Sequence, residues 1–259
     1  MADLRNYQAR VAGAGTRVDT GIDEGLRAYM IKVYNLMALG LAITGLAALG
    51  TVMFATTSDP ALAVATLGNG KMLTSIGYAL YGSPLRWVVM LAPLGMVFFL
   101  SARINSMSLS AAQTSFWVFA GLMGLSLSSI FLVYTSASIV QTFFITAASF
   151  GALSLFGYTT KRDLTGWGSF LIMGVFGLII AMVVNIFLAS PAMQFAISAI
   201  GVLIFAGLTA YDTQKIKEMY FDGDEVLVAG RKAVMGALTL YLDFINLFSF
   251  LLSFLGNRE

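Results

Sequence analysis

The sequence predicts an all-α integral membrane protein, a bundle that crosses the bilayer about seven times. Three observations predict it. Hydrophobic residues make up 58% of the 259 and charged residues only 11%, against about 25% charged in a soluble domain, which leaves too few charges to solvate a surface. The apolar residues gather into seven long runs, and about 20 such residues carry a helix across the hydrocarbon layer. Lys and Arg are divided unevenly between the two sides that those runs define.

Residues 1–27 are polar and of mixed charge, with no apolar h-region. They read as a mobile cytoplasmic tail rather than a cleavable signal peptide. The first span, Tyr34 to Phe54, has 21 residues without a charge. Leu85 to Ala102 is shorter, holds Pro93 and Arg86, and stops at Arg103. Its proline is tolerated, because helix breakers occur in buried membrane helices. Thr114 to Tyr134, Ile139 to Tyr158, Trp167 to Leu188 and Ala192 to Tyr211 follow, all uncharged. Ala233 to Leu255 is the last, with one internal charge, Asp243. The connections 134–139 and 188–192 are short enough to join only antiparallel neighbours. The long one, Thr57 to Pro84, is partly apolar, contains Asn69-Gly70, and lies on the membrane surface or covers one mouth of the bundle. Residues 28–259 therefore form one transmembrane domain.

With the N-terminus cytoplasmic, twelve of the fifteen Lys and Arg lie inside and only Lys71, Arg86 and Arg258 lie outside. An odd number of crossings then puts the C-terminus outside. This asymmetry agrees across every short loop.

Composition also excludes chemistries. There is no cysteine and no histidine, so disulfides, thiolate nucleophiles, serine–histidine catalysis and zinc–histidine sites are ruled out. No cofactor is called for. A net charge of +2 without a basic patch does not suit nucleic acid.

Polar residues inside the spans carry the functional signal. A charge at the centre of a membrane helix costs about 2.5–3.5 kcal/mol on insertion scales. Asp243 sits there, as a functional carboxylate or as a structural one paired with a buried cation. Gly236, Thr239, Asp243, Asn246, Ser249 and Ser253 share an arc of about 140° at helical spacing. That stripe puts the last helix inside the bundle, facing a water-filled path or bonding to neighbouring helices. Asp212 ends the sixth span, where the helix dipole disfavours an anion. Lys215, one turn on, or Arg103, at the same cytoplasmic level, would compensate it. Arg103 also reads as a snorkelling anchor. The small residues Gly121, Gly124, Ser126, Ser128 and Ser129, and Gly174, Gly177 and Ala181, read as close-packing surfaces.

Gly207-Leu-Thr-Ala-Tyr-Asp-Thr-Gln-Lys-Ile-Lys217 and Leu240-Tyr-Leu-Asp-Phe-Ile-Asn-Leu-Phe248 resemble the paired C-terminal motifs of the Bax inhibitor-1 family. Gly124-Leu-Ser-Leu-Ser-Ser129 and Gly157-Tyr-Thr-Thr-Lys-Arg-Asp-Leu164 resemble its middle segments. The similarity runs from about Tyr29 to Gly256 and is closest to the bacterial branch. It implies a seven-helix fold with the last helix central, and a pH-sensitive leak of calcium or other cations across the bacterial inner membrane. The family's two carboxylates map onto Asp212 and Asp243, and a family arginine onto Arg103. It also implies a possible partner, a membrane-bound ATP-dependent protease, for some bacterial relatives.

The expected mechanism is a gate, not an enzyme. Two carboxylates held together share a proton. The shared proton closes the inner end of the path, and its loss leaves two repelling anions. Calcium takes about six to eight oxygens, so two carboxylates give only transient contact. The alternative is an interaction protein that regulates a membrane protease or a stress response without conduction. An aspartyl membrane protease is third. One geometric tension stands: if the sixth helix ends at Tyr211 and the seventh starts at Ala233, Asp212 and Asp243 differ by about 15 Å in depth.

Overall fold

Helix boundaries in the chain are written mostly by small polar caps. In the computed structural model, which describes residues 2–258 with side chains from Glu24 onward, Ser108, Thr135 and Ser190 each turn a side-chain oxygen to the N–H three residues on. Each thereby satisfies a donor that the first helical turn leaves open. Pro191 follows Ser190 at the first helical position, where its missing N–H costs nothing.

The chain begins with α1 (Ala2–Ala55), whose membrane-crossing part is Glu24–Ala55. The tail expected over residues 1–27 lies for the most part outside the described side chains. Three two-residue strands follow, β1 (Thr56–Thr57), β2 (Ala65–Thr66) and β3 (Met72–Leu73), with β3 between the other two and antiparallel to both. Gly70 makes the β2–β3 turn with φ +83°, a conformation that glycine adopts without strain. The loop ends in a single turn, α2 (Ser75–Gly77), and a π-turn at Tyr78–Gly82. Asn69 Nδ2 and Lys71 Nζ donate to the carbonyls of Leu132 and Phe131. The long connection is thus a cap fastened to one end of the bundle.

The remaining helices are α3 (Leu85–Arg103), α4 (Leu109–Leu127), the short α5 (Ile130–Val133), α6 (Ser136–Thr159), α7 (Thr165–Leu188), α8 (Pro191–Glu218) and α9 (Val226–Leu255). Seven segments are long and apolar enough to cross a membrane, as the sequence predicts. The protein is an all-α integral membrane bundle. α9 is its axis: 61% of its apolar stretch is buried, against 11% for peripheral α7. It packs on α8, α1, α6 and α4. Its apolar face is more buried than its polar one, through Leu238, Phe244, Leu247, Phe248 and Leu251. α7 leans mainly on α8 and turns Phe170, Met173, Phe176, Ile180 and Phe187 outward, where hydrocarbon replaces water as their solvent.

Two expectations are corrected. The sixth span does not end at Tyr211, because α8 continues to Glu218. Asp212 is therefore two turns inside its helix, beyond reach of the terminal dipole. The short connection 134–139 does not make α4 and α6 packing neighbours either: α4 leans on α1, α3 and α9, and α6 on α8 and α9. The central helix separates them.

Candidate functional site

The α8–α9 contact sets the geometry. A Cβ at Gly236 would stand 3.0 Å from Ile216 Cγ2, and one at Gly201 would stand 2.6 Å from the Phe250 ring. With Gly236 level with Ile216, the antiparallel register puts Asp243 level with Thr209. That is three residues, about 4.5 Å of helix, from Asp212. The carboxyl groups of Asp212 and Asp243 lie within hydrogen-bonding reach of each other. The depth difference expected from shorter helices is thus removed. α8 runs past Asp212 inside the bundle, and α9 starts at Val226, so its first two turns project beyond the end of α8.

Asp243 is 4% exposed, and its Oδ2 has no donor among the described residues. Asp212 is half-buried. Two carboxylates make a hydrogen bond only when a proton sits between them, so the pair has a built-in place for one. Lys215 is the cation that bears on Asp212, and its ammonium also stands 5.8 Å over the Tyr211 ring. Arg103 does not join the pair. It ends α3, its side chain is exposed, and among the described residues it has no ion pair with either aspartate. The reason is packing: α3 leans on α4 at the edge of the bundle, which leaves Arg103 in the position of an interfacial anchor.

The stripe on α9 is half-buried and largely self-satisfied. Thr239 Oγ1, Asn246 Nδ2 and Ser249 Oγ donate to the carbonyls of Met235, Leu242 and Ile245 one turn back, at 3.1, 2.8 and 2.7 Å. Besides Asp243, its last member also bonds across helices, with Ser198 Oγ donating to Ser253 Oγ at 3.0 Å.

Two hydroxyl networks flank the pair, and neither shows in the sequence. Tyr241 is fully buried, with its hydroxyl 2.6 Å from Thr44 Oγ1. Thr44 in turn reaches the carbonyls of Ala120 and Gly40, at 2.9 and 3.0 Å. This ties α9 to α1 and α4. On the other side, Tyr34 Oη lies 2.7 Å from Ser154 Oγ, and Ser154 Oγ lies 2.9 Å from Thr213 Oγ1. Thr213, next to Asp212, donates to the Thr209 carbonyl at 2.7 Å. Tyr34 and Ser154 also line a cavity of about 710 Å³ between α1 and α6, bordered by Arg27 and Tyr158. Thr44, Ser154 and Tyr241 are each a single hydroxyl among apolar or small neighbours, so no pattern separates them from ordinary packing.

The profile of a family described as inhibitor of apoptosis-promoting Bax1 matches residues 26–259. The chain belongs to the Bax inhibitor-1 family. An uncharacterized protein of Caulobacter vibrioides is 48% identical over 263 residues, covering 100% of both chains. One of Rickettsia prowazekii is 48% identical over 237 residues, 92% of each. The inner membrane protein YbhL of Escherichia coli is 43% identical over 237 residues, 91% of this chain and 94% of its own. The paired Asp-containing motifs of this Bax inhibitor-1 protein are therefore the two helices that meet at its axis.

The Tyr241–Thr44 bond gives a direct test of how that axis is held. Tyr241→Phe keeps the ring, which packs edge-on against Phe116 and Phe119, and removes one buried hydroxyl. The expected cost is about 0.5–1.5 kcal/mol, read as a lower thermal midpoint of the purified protein in detergent. An unchanged midpoint would mean that the hydroxyl contributes nothing.

Proposed function

We propose that this Bax inhibitor-1 protein is a pH-sensitive leak pathway for calcium or other cations in the bacterial inner membrane, gated by Asp212 and Asp243. The observation that carries the proposal is the meeting of the two carboxyl groups at the most buried helix contact of the bundle. A buried pair of acids with one proton is a bond between α8 and α9. Without that proton it is a pair of like charges with no cation seated between them, and it drives the inner ends of the helices apart. Lys215, exposed in the last turn of α8, softens that repulsion without abolishing it. Two carboxylates supply too few oxygens for tight calcium binding, which suits passage rather than storage. The proton closes the path, so flux rises as pH rises through the titration of the pair.

Calcium entry into liposomes of the purified protein, followed across about pH 5.5–8.5, tests the reading. Flux that is absent, or flat with pH, would sink it. Absent flux would favour a regulatory partner of a membrane assembly such as an ATP-dependent protease.

The same proposal sets the orientation: N-terminus cytoplasmic, C-terminus outside, as the twelve-to-three division of basic residues favours. The name of YbhL supports the inner membrane as the location. A thiol label introduced in the α8–α9 connection, residues 219–225, should react only from the cytoplasmic side, and one at Asn257 only from outside. Reaction of both from one side would require an even number of crossings.

A further inference from the structure

We infer that a pocket at the C-terminal end of the bundle binds the phosphate ester of an anionic phospholipid, with Arg86 and Arg258 as its charged contacts. The pocket has a volume of about 440 Å³ and lies between the start of α3, the end of α4 and the capping loop. Lys71, Arg86 and Arg258 are the basic residues of this end, and two of the three line this one space. They come from positions 172 residues apart in the chain (258 less 86). Among the described residues no acidic one lines the pocket. Asp59, in the same loop, accepts from the Ala61 N–H as the cap of its own turn.

Both guanidinium groups are oriented and lack a carboxylate partner among the described residues. Arg86 Cζ stands 5.1 Å from the centre of the Trp87 ring, and Arg258 Cζ stands 5.7 Å from that of Tyr134. A cation over a ring face makes no hydrogen bond there, so the N–H fork stays available to an acceptor, and a phosphate oxygen pair matches that fork. Ser126 adds a hydroxyl to the same wall, while the Ser129 hydroxyl donates to the Ser126 carbonyl. Asn69 and Tyr81 are committed elsewhere, to the Leu132 carbonyl and Ser128 Oγ. Burial pushes the Tyr81 phenol above its ordinary range, so it adds no negative charge.

The rest of the lining decides between a lipid and a free anion. Val89, Met90 and Val133 border the pocket, and Met90 and Val133 are exposed apolar side chains of membrane-spanning segments. Arg86 and Trp87 occupy the first turn of α3, where an interfacial tryptophan marks the headgroup level. A charged end at that level and an apolar wall descending from it fit an amphiphile. An inorganic anion would use only the first half of the site.

The test uses the full chain with Trp117 and Trp167 replaced by Phe, so that Trp87 is the one fluorophore of its type. It is reconstituted in phosphatidylcholine nanodiscs and titrated with phosphatidylglycerol brominated high on its acyl chains, or with phosphatidylcholine brominated likewise. Symmetric bilayers make the result independent of orientation. Brominated phosphatidylglycerol should quench Trp87 at a mole fraction well below that needed for brominated phosphatidylcholine. Arg86→Gln and Arg258→Gln should each reduce that preference about fivefold, the weight of one basic residue near an anionic surface. The double substitution should abolish it. Equal quenching by the two lipids in the unsubstituted arginine background overturns the inference and needs no folded variant. A preference that survives the double substitution overturns it as well. Displacement of the brominated lipid by millimolar glycerol phosphate would show a site for soluble phosphate esters, and would overturn the lipid assignment.

Discussion

Asp243→Asn should leave calcium flux low and nearly flat from about pH 5.5 to 8.5, with the pH response of the unsubstituted protein gone. The amide of Asn donates a hydrogen bond at every pH, so it replaces the shared proton with one that cannot leave. Asp212→Asn should do the same from the other side of the contact, because the two carboxyl groups are each other's hydrogen-bonding neighbours. The double substitution should add little, since either single change has already destroyed the shared titration. In a double-mutant cycle, residues in contact couple by about 0.5–3 kcal/mol, and this pair belongs at the upper end because both members change one protonation event. Asp243→Ala separates the two ingredients: it removes the titrating group without supplying a permanent donor, so flux should be flat with pH but not held low. Independent, additive effects of the two Asn substitutions would make these aspartates separate sites. A full pH response in the double variant would remove them as the sensor. Arg103→Gln is the control. An exposed arginine with no ion pair to the pair should leave the pH response in place, whereas the sequence resemblance alone puts it inside the gate.

That contrast marks how far the sequence reaches. The seven crossings are legible because the bilayer imposes a length and a composition on each, and the structure reproduces all seven. The centrality of α9 is legible because a helix with Asp243, Asn246 and Ser249 on it is a poor surface for lipid. The meeting of Asp212 and Asp243 is not legible from the apolar runs themselves. Hydropathy ends a span where charges begin, at Tyr211 and Ala233, whereas the helices continue to Glu218 and back to Val226. Lys215 and Lys217 lie on that continuation. Lys217 donates to the Tyr158 carbonyl, so it is held by the bundle rather than marking its edge. Charged residues end a hydrophobic run without ending the helix, and the depth of a residue follows the helix. Arg103 fails for a related reason: a shared level in the membrane fixes height but not which helices are neighbours, and α3 stands apart from the α8–α9 contact. The Tyr34–Ser154–Thr213 and Tyr241–Thr44 bonds join positions that lie between 59 and 197 residues apart. Single hydroxyls in apolar runs carry no trace of such partners.

Gly124→Leu should lower stability by about 1–3 kcal/mol, the usual cost of forcing atoms into a packed core, while Gly121→Leu, one turn earlier on α4, should change it little. Both glycines belong to one small-residue surface in the sequence, and nothing in their spacing ranks them. The structure does. A Cβ at Gly124 would collide with the Thr44 carbonyl oxygen and stand 2.7 Å from Ala47 Cβ, whereas one at Gly121 meets nothing within 4 Å. The obstacle at Gly124 is the backbone of α1, which cannot rotate aside as a side chain does, so α1 and α4 must separate. Separation acts on more than the contact itself. Thr44 is the residue that receives the Tyr241 hydroxyl and reaches the Ala120 carbonyl, so displacing α1 also loosens the central helix that carries Asp243. Thermal denaturation of the two purified variants in one detergent, beside Gly124→Ala, measures the difference. The alanine variant should fall between wild type and Gly124→Leu, since one methyl already meets the Thr44 oxygen. Equal losses for Gly121→Leu and Gly124→Leu would mean that α4 dislikes bulk along its whole length, and that the close approach to Thr44 is not what holds α1 against it.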